Sequence, residues 1–198
     1  MSRLKLRMRS ILGVGILLGA ICGFSPPVPA QAPLLELSSS EVYPGQTGVP
    51  FELRLSHVGS VEGIEIGLAP SSSTVLIAEV ILNGGVLEGL DLEFSSIQID
   101  PDGQAASILW TLDSSVPFTT FLSPGDDQLL ATVICDIDED FLAASTVLLE
   151  FVDGVGTPPA TNTVHSSSVA LTPQTTAGTI TGFSSNHFSF DTLPAFAG

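Results

Sequence analysis

The densest run of chemistry-bearing side chains is Asp136-Ile-Asp-Glu-Asp140, at the end of an apolar stretch. Carboxylates clustered in a loop suit a hard cation such as calcium, so Asp136, Asp138 and Asp140 are candidate calcium ligands. A working site also needs backbone carbonyls and a turn of defined shape, and an acidic protein carries acidic loops in any case. His57, His165 and His187 are dispersed, and no pair has the spacing of zinc ligands. No serine lies in a Gly-x-Ser-x-Gly elbow. The carboxylates are too many for one pair to stand out as a glycosidase couple. The expectation is a protein with no catalytic residues, not an enzyme.

Charge and export come next, because they restrict what the chain can meet. Arg3, Lys5, Arg7 and Arg9 are four of the five Lys and Arg residues in the chain. An apolar run from Ile11 to Phe24 follows, then Ser25-Pro-Pro-Val-Pro-Ala-Gln-Ala32. A basic head, an apolar middle and a small-residue exit make a secretory signal. As helix the apolar run spans about 21 Å, short of the roughly 30 Å hydrocarbon core, so it targets and does not span. Cutting after Ala30 avoids placing Pro33 just beyond the bond, as a cut after Ala32 would. Lipidation at Cys22 is disfavoured, since Ile21 stands where a small residue is required.

Removal of residues 1–30 leaves Arg54 as the single Lys or Arg against 21 carboxylates, a formal charge of −20. Such a surface repels polyphosphates and anionic lipid, so neither nucleic acid nor a membrane surface is an expected partner. Cys135 is then the lone cysteine, so no internal disulfide forms, and its apolar neighbours point to a buried thiol. Cohesion rests on a core, which about 150 residues are enough to build.

These residues must be positioned by strands. Phe51-Glu-Leu-Arg-Leu-Ser-His57 and Ile64-Glu-Ile-Gly-Leu68 alternate with period two, as half-buried strands of an antiparallel sheet do. Further segments are Leu34–Leu37, Val75–Ile81, Leu92–Ile99, Ala105–Leu112, Leu129–Ile137, Thr146–Phe151, Val169–Thr172 and Thr179–Phe183. Turn-forming groups such as Pro44-Gly45, Asn83-Gly84-Gly85 and Asp100-Pro-Asp-Gly103 separate them. One turn of helix is allowed for Phe141–Ser145. The class is all-β, an antiparallel two-sheet jelly-roll sandwich of about nine strands over residues 34–183. Residues 184–198 hold three phenylalanines without regular alternation and read as a disordered end or a link.

The order of features resembles a cohesin-type module. The matching residues are Tyr43-Pro-Gly-Gln-Thr-Gly-Val-Pro50, Phe51–Leu55 and Val61-Glu-Gly-Ile-Glu-Ile-Gly-Leu68. Then come Gly125-Asp-Asp-Gln-Leu-Leu-Ala-Thr-Val-Ile-Cys-Asp-Ile137, Thr146–Gly154 and Val169–Gly182. Two positions depart from the pattern: Ala69-Pro70-Ser71 replaces an aromatic-Asp pair, and Cys135 replaces an aromatic. The resemblance implies a jelly roll related to cellulose-binding modules. It also implies docking of a dockerin module, which tethers exported enzymes or surface proteins acting on polysaccharides. No dockerin calcium loop stands in this chain; Asp100-Pro-Asp-Gly103 is a turn-like fragment.

With Ala131, Val133, Cys135 and Ile137 inward, Thr132, Ile134 and Asp136 face outward, and Ile134 offers an apolar anchor between polar neighbours. With Ile64, Ile66 and Leu68 inward, Glu65 and Gly67 face outward. Glu65, Thr132, Ile134 and Asp136 are therefore the candidate partner-binding residues, against an ordinary solvent face with one isoleucine. Direct polysaccharide binding is the rival function, but it lacks an aromatic platform: Trp110 shares the register of Ile108 and Leu112, and Tyr43 stands in a turn. A structural sandwich in a surface layer or matrix is the third reading. The isolated module is expected to be a monomer, secreted or at the cell surface. N-terminal sequencing of the exported protein is expected to begin at Gln31; a start at Met1 would remove the export signal from the account.

Overall fold

The computed structural model describes residues 31–115, 117–167 and 169–183. The leader expected at 1–30 and the tail expected at 184–198 lie outside the described residues. Thirteen strands follow in order. They are β1 (Leu34–Leu37), β2 (Ser40–Val42), β3 (Val49–His57), β4 (Gly63–Pro70), β5 (Val75–Ile81), β6 (Phe94–Ile99) and β7 (Ala106–Thr111). The remainder are β8 (Gly125–Ile137), β9 (Thr146–Phe151), β10 (Thr163–Ser166), β11 (Val169–Leu171), β12 (Gln174–Thr176) and β13 (Gly178–Gly182).

Two sheets form. The first runs β12-β1-β3-β8-β5. In the second, β6 pairs β7 and β7 pairs β4; the far edge of β4 pairs β10 near its start and β9 near its end. From β9 the sheet continues to β13 and β2, and from β10 to β11. Each strand buries its alternate residues between the sheets. Phe51, Leu53 and Leu55 of β3 are buried from one side, and Ile64, Ile66 and Leu68 of β4 from the other. Ala131, Val133, Cys135 and Ile137 are buried as expected, with Trp110 fully enclosed. Burial pushes the Cys135 thiol up to about 12, which leaves it inert as a nucleophile.

The all-β two-sheet sandwich holds, with more strands and two ladders of the other sense. The additional strands β2, β10 and β12 are three or four residues long and mostly polar, too short for a period to show. β1 pairs β12 in parallel, and β13 pairs β2 in parallel. The first and last segments of the domain run side by side, and both cross from one sheet to the other. At that crossing a Cβ on Gly178 would stand 2.5 Å from the Ser38 carbonyl oxygen, so the approach requires glycine. Pairings between segments some 140 residues apart leave no local trace in the sequence. Two local details complete the fold. His57 lies on the buried register of β3, its ring nitrogens held at the Gly59 carbonyl and the Gln128 side chain, 2.5 and 2.8 Å away. Phe141–Ser145 forms a turn with Ala144 at φ 61° in place of a helical turn.

Phe51→Ala removes a fully buried ring, and a loss of about 3–5 kcal/mol is expected. Gly178→Val should cost about 1–3 kcal/mol by forcing the crossing apart. Urea midpoints measure both, with the slope of the transition unchanged.

Candidate functional site

The sequence-expected contact residues divide between the two outer faces. Thr132, Ile134 and Asp136 lie half-buried on the outside of the first sheet. Ile134 stands opposite Pro50 of β3 and Glu79 of β5, and Thr132 opposite Glu52 and Ile81. Glu65 lies on β4, outside the second sheet. Stacked sheets are about 10 Å apart, so one face cannot present all four residues. Glu65 is also occupied: its Oε1 accepts a hydrogen bond from Thr161 N at 2.8 Å.

The acidic run does not gather into a calcium site. Asp136 Oδ1 accepts from Gly48 N at 2.8 Å on the sheet face. Asp138 Oδ1 accepts from Asp140 N at 2.8 Å in its own turn, and Asp140 faces solvent. Strand alternation and the turn aim the three carboxylates apart. Among the described residues no three His, Cys, Asp or Glu side chains come together to hold a metal ion.

A shaped site stands instead on the outside of β4, β7 and β6. Register places Gly63, Thr111 and Phe94 in one row, Glu65, Leu109 and Ser96 in the next, and Gly67, Ser107 and Gln98 in the third. Leu109 is an outward apolar residue on a strand, the same signal that singles out Ile134. Phe94 is 50% exposed at the edge. The 152–162 loop forms one wall by lying across the third row. There Gly67 N donates to Asn162 Oδ1, 3.1 Å, and Val152 N donates to Gly67 O, 2.9 Å. A Cβ on Gly67 would stand 2.1 Å from the Val152 carbonyl oxygen, so glycine is what lets the wall close down. The loop following β7 brings Phe118 to the other end.

Between these walls lie two hollows that share Leu109. One, of about 140 Å³, is lined by Phe94, Gln98, Leu109 and Pro158. The other, of about 290 Å³, is lined by Glu62, Thr111, Phe118 and His165. His165 reaches it from β10, one of the strands too short to show a period in the sequence. Glu62 is 6% exposed, and its Oε2 finds no hydrogen-bond partner among the described residues. A buried polar group left unpaired costs about 1–3 kcal/mol, more when charged. No period in the sequence marks Glu62, because it sits at the bend that leads into β4.

Asp113 shapes the loop that carries Phe118. Its Oδ2 accepts from Thr119 N and Oγ1, 2.6 and 2.9 Å, and its Oδ1 from Ser115 N and Oγ, 2.9 and 2.8 Å. Those donors, Thr119 N–H first, hold its carboxyl well below the usual carboxylate range. A group depressed by folding stabilises the native state above its unfolded value near 3.8, and that contribution fades as pH falls below it. Asp113→Ala is therefore expected to lower the urea midpoint at pH 7, and its gap from the parent protein should narrow below about pH 4.

No protein-family model matches the chain, and no curated protein matches it in sequence. Solved structures do match its fold. The sixth cohesin of Acetivibrio cellulolyticus scaffoldin B, solved in complex with a Cel5 dockerin mutant, superposes with a TM-score of 0.57 at 17% identity, covering 76% of this chain and 98% of that one. A non-cellulosomal cohesin from the archaeon Archaeoglobus fulgidus gives 0.56 at 14% identity, covering 77% and 92%. A type III cohesin module from the cell-surface anchoring scaffoldin ScaE of Ruminococcus flavefaciens gives 0.58 at 12% identity, covering 79% and 89%. Identities this low carry the architecture and leave the partner open. The sandwich described here has the fold of a cohesin module.

Proposed function

We propose that the chain is an exported, non-catalytic docking module that binds a dockerin-like protein domain in an extracellular polysaccharide-degrading or surface assembly. The fold carries this reading: among the modules it resembles, the Acetivibrio cellulolyticus cohesin is solved with a dockerin bound. The groove over β4, β7 and β6 supports it, with Leu109 and Phe94 as apolar anchors inside a polar, acidic rim, the composition of a protein-binding patch. The isolated module is a monomer, and it acts outside the cytoplasm. Among the described residues no helix is long and apolar enough to cross a membrane.

Direct glycan binding draws less support. Trp110 is fully buried, and Tyr43 packs at 36° against Phe183 with ring centroids 5.3 Å apart, so this pair makes no flat stacking surface. The outward row of Pro50, Ile134 and Glu79 on the opposite sheet remains the alternative docking face.

Isothermal titration of calcium-loaded dockerin domains tests both the function and the face. Leu109→Asp is expected to weaken binding by about 30-fold or more, the scale of an interface hot spot, while Ile134→Asp leaves it unchanged. The reverse pattern would move the site to the other sheet. Binding to a glycan array with no affinity for any dockerin would replace the docking reading.

A further inference from the structure

We infer that the hollow at the Glu62 end of the groove receives a cationic side chain, a lysine or arginine of the docked protein. The inference rests on the docking reading above and names the chemistry of the partner's anchor. The hollow joins a buried acid to an apolar wall: Glu62 lies at one side, and Leu109 and Phe118 line the approach. A methylene stem ending in an ammonium or guanidinium has that same division of character.

The backbone of Glu62 is fixed at the edge of the hollow. Its N–H donates to the His165 carbonyl at 2.9 Å, and its carbonyl accepts from Leu112 N at 2.7 Å. The strand junction is thereby held on both sides, so the backbone from which the carboxylate extends is fixed. Among the described residues nothing answers its Oε2. The neighbouring Asp113 is saturated by Ser115 and Thr119 and brings no donor. Arg54 is the only Lys or Arg beyond the leader. It lies on β3 of the other sheet, where it pairs with Glu52 at 2.8 Å and Asp127 at 3.1 Å. A buried carboxylate oxygen without a partner, in a domain whose one strong cation is engaged elsewhere, is complementary to a cation brought from outside. The formal −20 of the processed chain draws such a group toward the groove.

The test uses the folded, ¹⁵N-labelled domain titrated with n-butylammonium and n-butylguanidinium, with n-butanol as the neutral control at equal ionic strength. The cations are expected to shift the amides of Gly63, Thr111, Ser114 and His165 and to saturate, while butanol moves them less than a tenth as far. Glu62→Gln should abolish the cation response. Equal shifts with butanol, or none with either cation, overturn the inference, and this comparison needs no variant. For any calcium-loaded dockerin domain that binds, Glu62→Gln should weaken affinity tenfold or more, and so should replacement of one dockerin lysine or arginine by methionine. Dockerin affinity untouched by Glu62→Gln overturns the inference and leaves the docking reading standing. Cation-selective shifts without any dockerin binding overturn the docking reading and leave the hollow's selectivity intact.

Discussion

Everything in this domain depends on one dry layer shared by two sheets. Cys135 is buried and alone, so among the described residues no disulfide staples the sandwich, and burial of apolar side chains from both sheets must supply its cohesion. Phe51 and Trp110 are among the largest fully buried side chains, and alternation along β3, β4, β7 and β8 delivers their neighbours to the same layer. The parallel ladders β1/β12 and β13/β2 then tie the two ends of the domain together across both sheets.

Charge imposes a second order on the loops. In a domain with a single arginine, carboxylates find few cations, and they are satisfied by backbone N–H groups and hydroxyls instead. Asp136 holds Gly48, Glu65 holds Thr161, Asp153 holds Asn162, and Asp113 holds Ser115 and Thr119. Acidic side chains that look like ligands or contact residues in the sequence thus serve as loop fasteners. The walls of the groove are built this way, from the Glu65 and Asp153 contacts at one end and the Asp113 contacts at the other. Glu62 departs from the pattern, since its Oε2 is buried and holds no loop.

The sandwich was readable because burial with period two is a local property. Ten segments are enough to show two amphipathic sheets, and alternation marks the inward set of β8 residue by residue. The candidate face was less readable. Outward apolar residues identify themselves by parity, so Ile134 could be named and Leu109 bears the same mark. Parity says which side of its own sheet a residue takes and nothing about which sheet that is. Parity accordingly groups Glu65 with Thr132, Ile134 and Asp136, although a whole sandwich separates them. The acidic run shows a related limit: nearness in sequence does not bring Asp136, Asp138 and Asp140 to one point, because a strand and a turn direct them apart.

From composition and alternation alone come the all-β class, the acidic surface and the identity of most core residues. These follow from short-range periodicity and from counting, which need no knowledge of partners in space. The tertiary structure decided the strand neighbours, the two parallel ladders, the loop laid over Gly67 and the meeting of Glu62, Leu109, Phe118 and His165 in one hollow. Those residues come from separate segments between positions 62 and 165, and only packing two sheets around a common interior sets the distances between them.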